Sequence, residues 1–279
     1  MSDEDKYPSE SGRRRFVKGV VGGAALAGVG AAGSVSVNSL TREGGEGGGQ
    51  TVAMAIEQVG GPAPRGLPQV PLEIDSEGFL KGLWPDTTTI TQGGVEIEVA
   101  RQEVGGREYA GEWFQYCGNE GYEQLSPSFD SDNYFLSSPS PSYDWQSQAK
   151  SEAEKLHVDD FQDYTEWGNG IGQSGIGKPA NAIWRSDGTA NTLPVTVLRS
   201  DRIAEAAQDS EWLSASTSEG FVAWLNVCTH FCCVPGFKKN SESARYDAAD
   251  GVYCQCHQSR YDPFSLVETL FIARPRPSE

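Results

Sequence analysis

The longest feature of the hydrophobic and polar pattern lies near the start of the chain. Gly19–Leu40 contains no charged residue and is rich in Gly, Ala and Val. About 20 apolar residues span a bilayer, so its length suits a transmembrane helix, and its modest hydrophobicity also suits a cleaved export signal. No clear Ala-x-Ala site follows, and the length favours the uncleaved anchor. Further on, Val95, Ile97 and Val99 alternate with Glu96 and Glu98, which predicts an amphipathic strand. Ala149, Ala153 and Leu156 recur at spacings of four and three and predict a helix over Gln148–His157. Short strands are predicted at Ala182–Arg185, Pro194–Leu198 and Phe221–Val227, with a capped helix start at Asp201–Ala207. Ser137–Ser142 has the Ser/Pro composition of an exposed loop. Extended segments predominate, so the expected class is mostly β and antiparallel.

Composition adds a folded core and an unusual charge. Hydrophobic residues make up 37 % and aromatics 10 %, which argues against disorder. The net charge is −17, from 39 acidic against 22 basic residues. Five of the basic residues (Lys6, Arg13, Arg14, Arg15 and Lys18) precede the uncharged run, leaving 17 basic against 35 acidic in the rest. Nucleic acid is excluded as a partner, because phosphates need a basic patch. Self-repulsion of this size is tolerable where salt screens it, which points to a high-salt organism.

The basic cluster directly before the uncharged run reads Arg13-Arg14-Arg15-Phe16-Val17-Lys18. It resembles a twin-arginine export signal, whose pattern is Arg-Arg-x-Phe-Leu-Lys. Such signals carry already folded, cofactor-loaded proteins across the membrane. The basic flank stays cytoplasmic by the positive-inside rule, which puts the rest of the chain on the outer face. The expected organisation is a cytoplasmic segment at 1–18, a signal or anchor at 19–40 and a Gly-rich tether at 41–50. A first part of the head follows at 51–181, in which 106–175 reads as an insertion of unassigned role. A metal-binding domain takes up 182–279.

That last domain holds the chemistry. Cys228-Thr229-His230-Phe231-Cys232-Cys233 is followed by Cys254-Gln255-Cys256-His257-Gln258-Ser259-Arg260-Tyr261. The boxes Cys-x-His and Cys-x-x-His supply two thiolates and two imidazoles. This set suits a [2Fe–2S] cluster in which one iron is held by Cys228 and Cys254 and the other by His230 and His257. Zinc also accepts a Cys2His2 set.

Over residues 182–277 the chain resembles the Rieske iron–sulfur subunit of cytochrome bc1/b6f-like quinol-oxidising complexes. The resemblance implies an antiparallel Rieske fold, a base domain with a small cluster-binding subdomain at its tip, behind an N-terminal transmembrane helix. It also implies a disulfide between Cys233 and Cys256 that ties the two ligand loops. Ser259 would donate to a bridging sulfide and Tyr261 to a ligand cysteine sulfur, both raising the reduction potential. Cys117 and Cys232 are left over, and Cys117 reads either as a buried apolar residue or as a partner for Cys232.

Three positions depart from the family. Cys232 and Gln258 stand where it usually has glycine, and Gln255 where it has proline. Both glycine positions call for positive φ or close approach, so Cys232 and Gln258 must adopt that conformation or the loops differ. The family's shielding loop, Gly-Pro-x-Pro, has its nearest downstream match in Ile272-Ala273-Arg274-Pro275. Gly61-Pro62-Ala63-Pro64 matches it in letters but lies far upstream and is assigned to a linker. The closing strands that the family adds after this point are expected from upstream segments, or else the base is smaller.

The resemblance implies an electron-transfer subunit. His257 would meet the quinol, and the partners would be a cytochrome b-type membrane subunit and a cytochrome c or small copper protein as acceptor. The alternative is the small Rieske subunit of an exported molybdenum oxidoreductase such as arsenite oxidase. A Rieske oxygenase needs a further iron held by two His and a carboxylate. The chain has three histidines, and with two in the cluster only His157 remains, which excludes that site within this chain.

Overall fold

A computed structural model of the 279-residue chain describes residues 50–62, 65–92 and 94–272. The twin-arginine segment, the expected anchor at 19–40 and most of the tether lie outside them. Among the described residues no helix is long and apolar enough to cross a membrane.

The fold is mostly antiparallel β with few, short helices. Its first strand, β1 (Gln50–Gly60), leads through β2 (Leu67–Val70) to a two-stranded sheet of β3 (Leu72–Ile74) and β4 (Leu80–Gly82). A three-stranded sheet follows, made of β5 (Thr87–Gln92), β6 (Val95–Val104) and β7 (Arg107–Ala110). The alternation at Val95–Val99 thus forms the start of β6, with Glu96 and Glu98 exposed and Val99 buried. The remaining strands are β8 (Leu136–Ser137), β9 (Lys178–Trp184), β10 (Leu193–Arg199), β11 (Phe221–Leu225), β12 (Gly236–Phe237), β13 (Val252–Cys254) and β14 (Ser259–Ile272). They join β1 and β2 in a nine-stranded sheet ordered β12-β13-β14-β1-β2-β11-β10-β9-β8.

Two features of this sheet position the site. First, β1 runs antiparallel to β14 with Gln50 opposite Ile272 and Gly60 opposite Arg260. Upstream strands therefore close the sheet beside the last described strand. Second, β11 is buried on both faces, as expected of a central strand. Phe221, Ala223 and Leu225 enter a large core, while Val222 and Trp224 enter a smaller one. Side chains alternate across a strand, so one five-residue run serves both cores. The smaller core also contains Cys228, Cys254 and Tyr261. The base of the site is thus part of the hydrophobic interior.

The stretch 106–175 is built into the fold. It gives Tyr109, Trp113, Phe114, Phe135 and Phe161 to the large core. The expected boundary at residue 181 falls inside β9. The helix predicted over Gln148–His157 is not formed. Helix α1 (Asp144–Ala149) ends there, and residues 150–157 run in irregular, partly extended backbone. Leu136 pairs with Lys155 and Phe79 with His157, while the Leu156 amide donates to the Phe135 carbonyl at 2.9 Å. Ala153 sits at φ +57°, which breaks any helix. Long-range pairing therefore overrides a weak local periodicity. Helix α2 (Asp201–Ala206) forms where expected. It is capped by the Ser200 hydroxyl, which accepts from the Arg202 amide at 3.2 Å.

Candidate metal centre

Three loops meet at one end of the sheet. The first leaves β11 and carries Cys228–Cys233. It is closed on itself: the Cys228 amide donates to the Cys233 carbonyl at 2.7 Å and the Cys232 amide to the Cys228 carbonyl at 2.9 Å. The Asn226 side chain donates to the Pro235 carbonyl at 3.0 Å and pins its base. The second loop is the turn between β13 and β14. Cys254 ends β13 opposite Ser259, and residues 255–258 form the exposed tip. Cys232 and Gln258 lie at φ +60° and +59°. They take up the left-handed conformation that glycine adopts at no steric cost, although both carry a Cβ.

The third loop corrects the sequence reading. Gly61-Pro62 is no linker, because the pairing of β1 with β14 brings residue 61 beside residue 259. A Cβ on Gly61 would stand 2.8 Å from the Ser259 Cα and 3.1 Å from its Oγ, and Gly61 has φ +110°. Only glycine fits that approach. Arg65, past the same loop, donates from Nη1 to the Thr229 carbonyl at 3.1 Å, within the first ligand box. Ala63 and Pro64 lie outside the described residues. The other candidate, beginning at Ile272, sits at the far end of β14. Thirteen residue steps along the strand, roughly 40 Å at the usual rise, separate it from Ser259. Residues 273–279 also lie outside the described residues.

The sulfur atoms divide into two kinds. Cys233 and Cys256 form a disulfide that ties the first loop to the second. Cys117 forms another with Cys232, the second of the two alternatives open from sequence. Cys228 and Cys254 are free and buried. The sulfurs of Cys233, Cys254 and Cys256 also lie within 4.8 Å of one another. Two of these are tied in a disulfide and have no thiolate to offer, so Cys254 is the one useful ligand of that trio.

The two free thiols share a hydrogen bond. That bond is the main reason why the Cys228 thiol is pulled down, with the Tyr261 and His230 hydrogen bonds acting the same way against desolvation. The Cys254 thiol is pushed up, first by its hydrogen bond to Cys228 and then by burial. The two shifts have opposite signs, so the thiols ionise one before the other. A second ionisation in this core calls for a cation.

Tyr261 and His230 lie at Cys228, and Ser259 lies at His230. The Tyr261 hydroxyl lies 3.4 Å from its sulfur, and His230 Nδ1 lies 3.5 Å from the same atom. Ser259 Oγ is 3.3 Å from His230 Nδ1. Burial is the main cause that raises the Tyr261 phenol, so it stays protonated and able to donate. His257 is on the outside. Its ring is exposed and lies against Phe231, with ring centres 4.1 Å apart and planes at 33°. Phe231 and Val234 are themselves 67 % and 53 % exposed, so the first loop presents apolar surface, with the Phe231 ring against that imidazole.

Three contributors were not singled out from sequence: Tyr116, whose hydroxyl donates to the Val227 carbonyl at 2.8 Å, and the pair Arg65 and Thr229. Comparison with known proteins finds no matching family model, curated protein or solved structure.

Proposed function

We propose that this centre holds a Rieske-type [2Fe–2S] cluster and that the chain is the iron–sulfur subunit of a bc1/b6f-like quinol-oxidising complex. The observation that carries the reading is the sorting of the six cysteines. Four are spent in disulfides, and the two left free are the two that the ligand boxes name, buried and in contact. Cys228 and Cys254 would hold one iron, and His230 and His257 the other. When bound, such a cluster carries one electron at a time. The chain's own residues do the rest. Tyr261 donates toward the Cys228 sulfur, Ser259 stands at His230 Nδ1, and Arg65 ties the third loop to the first.

His257 is the residue that offers an imidazole to an incoming quinol, on an apolar tip suited to a cytochrome b-type membrane subunit. A cytochrome c or small copper protein would accept the electron. The antiparallel strands and loop-borne tip fit a Rieske base with its cluster subdomain. It would stand behind an N-terminal anchor, exported by the twin-arginine route to the outer face of the cell membrane of a high-salt organism.

The test uses the full-length protein purified from its membrane. Iron, acid-labile sulfide and the paramagnetic resonance of the reduced form are measured. Cys228→Ser, Cys254→Ser, His230→Ala and His257→Ala should each abolish the signal, since each removes one of four protein ligands. Zinc without iron in the unmodified protein would overturn the cluster. Co-purification with a molybdenum subunit in place of cytochrome b would favour the arsenite-oxidase-like alternative.

A further inference from the structure

One dipeptide of the 106–175 stretch grips the first ligand loop at both ends. The Tyr116 hydroxyl donates to the Val227 carbonyl at 2.8 Å, just before Cys228. The next residue, Cys117, is joined to Cys232, just after Phe231. Between these two points lie Cys228, His230 and Phe231, the last of which packs on His257. Both disulfide-bonded residues are left-handed, Cys117 at φ +58° and Cys232 at φ +60°. A residue with a Cβ disfavours that conformation by about tenfold or more. Cys232 is exposed, so side-chain packing does not hold it there. What holds it is the covalent bond to Cys117, together with its amide's hydrogen bond to the Cys228 carbonyl.

We propose that Tyr116-Cys117 is a positioning brace. Its disulfide keeps residue 232 left-handed, and so keeps His230 at Cys228 and the Phe231 ring over His257. The inference rests on the iron–sulfur reading for the identity of the metal but not for the geometry of the loop. The brace makes a non-glycine residue tenable where the loop demands positive φ.

The experiment compares three forms of the full-length protein with the unmodified one. They are Cys117→Ala with Cys232→Ala, Cys117→Ala with Cys232→Gly, and Tyr116→Phe. Two rates are read: release of bound metal to a chelator, and carbethoxylation of His257 by diethyl pyrocarbonate, located by peptide mass. The alanine pair should release metal about tenfold faster, the size of the left-handed penalty, and His257 should react several-fold faster as Phe231 moves off. The glycine pair should return both rates close to those of the unmodified protein, because glycine needs no brace at that φ. Tyr116→Phe should speed release about threefold, as expected for one neutral hydrogen bond.

An alanine pair indistinguishable from the unmodified protein overturns the proposal, and so does a glycine pair as impaired as the alanine pair. If the alanine pair does not accumulate, unchanged rates in Tyr116→Phe overturn it. Failure of the iron–sulfur reading is seen separately, as zinc in the unmodified protein, and leaves both rates measurable.

Discussion

The Tyr261 hydroxyl stands 3.4 Å from the Cys228 sulfur, with both side chains fully buried. A donor held there favours negative charge on that sulfur, and reduction of a cluster bound through it adds negative charge. A hydrogen bond to a charged group is worth about 1.5–3 kcal/mol, and for one electron about 59 mV is a tenfold change. Tyr261→Phe should therefore lower the reduction potential by roughly 50–130 mV with the ligands intact. A redox titration beside quinol turnover checks it. The turnover should slow in step, and an unchanged potential would show that the phenol does not act on the sulfur.

Ser259 acts at the neighbouring ligand. Its hydroxyl is 3.3 Å from His230 Nδ1 and wholly buried, so no water replaces it when it is removed. On the proposed function the Ser259 hydroxyl donates to a bridging sulfide of the bound cluster, and Ser259→Ala should then lower the potential by a similar roughly 50–130 mV, on the same arithmetic. Ser259 is also the residue against which Gly61 packs. Gly61→Ala is expected to be the harsher change, because its Cβ would have to displace the backbone at residue 259. Loss of bound iron during purification of Gly61→Ala, but not of Ser259→Ala, is the expected contrast.

Arg65 supplies a cation to the first ligand box through its bond to the Thr229 carbonyl. The side chain is exposed, so solvent weakens the contact and its loss should speed metal release only about threefold. The potential should fall as well, because a positive charge beside the site favours the added electron. Arg65→Lys should keep the potential better than Arg65→Ala does. Equal potentials in all three proteins would remove Arg65 from the electrostatics of the site.

The legible and illegible parts of this molecule differ in range. Cys228, His230, Cys254 and His257 stand out because metal chemistry fixes residue type and spacing within a few positions, and Ser259 and Tyr261 only through the resemblance that those boxes carry. The strands β10 and β11 and the last three residues of β9 stand out because their apolar runs are local signals, whereas Lys178–Asn181 were not read and Arg185 lies past the strand at φ +49°. Tyr116 and Cys117 reach the same loop from 111 and 115 residues away, and Arg65 from 164. No periodicity records such a contact. Gly61-Pro62 was legible as letters but misplaced, because distance along the chain was taken for distance in space. The pairing of β1 with β14 cancels it. The helix over Gln148–His157 fails for a related reason: three small apolar positions cannot outweigh pairing of the same residues with distant strands.

The acidic surface yields a test independent of any metal. Beyond the uncharged run, 35 acidic residues face 17 basic ones. Several of those basic residues are already paired, as in Arg101–Glu112 at 2.7 Å and Lys178–Asp163 at 2.6 Å, which leaves most carboxylates to repel one another. Exposed pairs contribute only about 0–1 kcal/mol each, so losing them to screening costs little. Unbalanced repulsion acts over the whole surface, and it weakens as the Debye length falls from about 10 Å at 0.1 M to about 3 Å at 1 M. Potassium chloride should therefore stabilise the protein, with most of the gain reached by about 1 M. A gain of about 2 kcal/mol would raise the melting midpoint by roughly 4–8 °C for a domain of this size. Chloride is the right salt to use, because sulfate also strengthens apolar burial and would mix two effects. Thermal melts followed by circular dichroism across the chloride series decide the matter. A midpoint that stays flat or falls with salt would mean that the carboxylates are not in net repulsion, and the high-salt reading of this sequence would go with it.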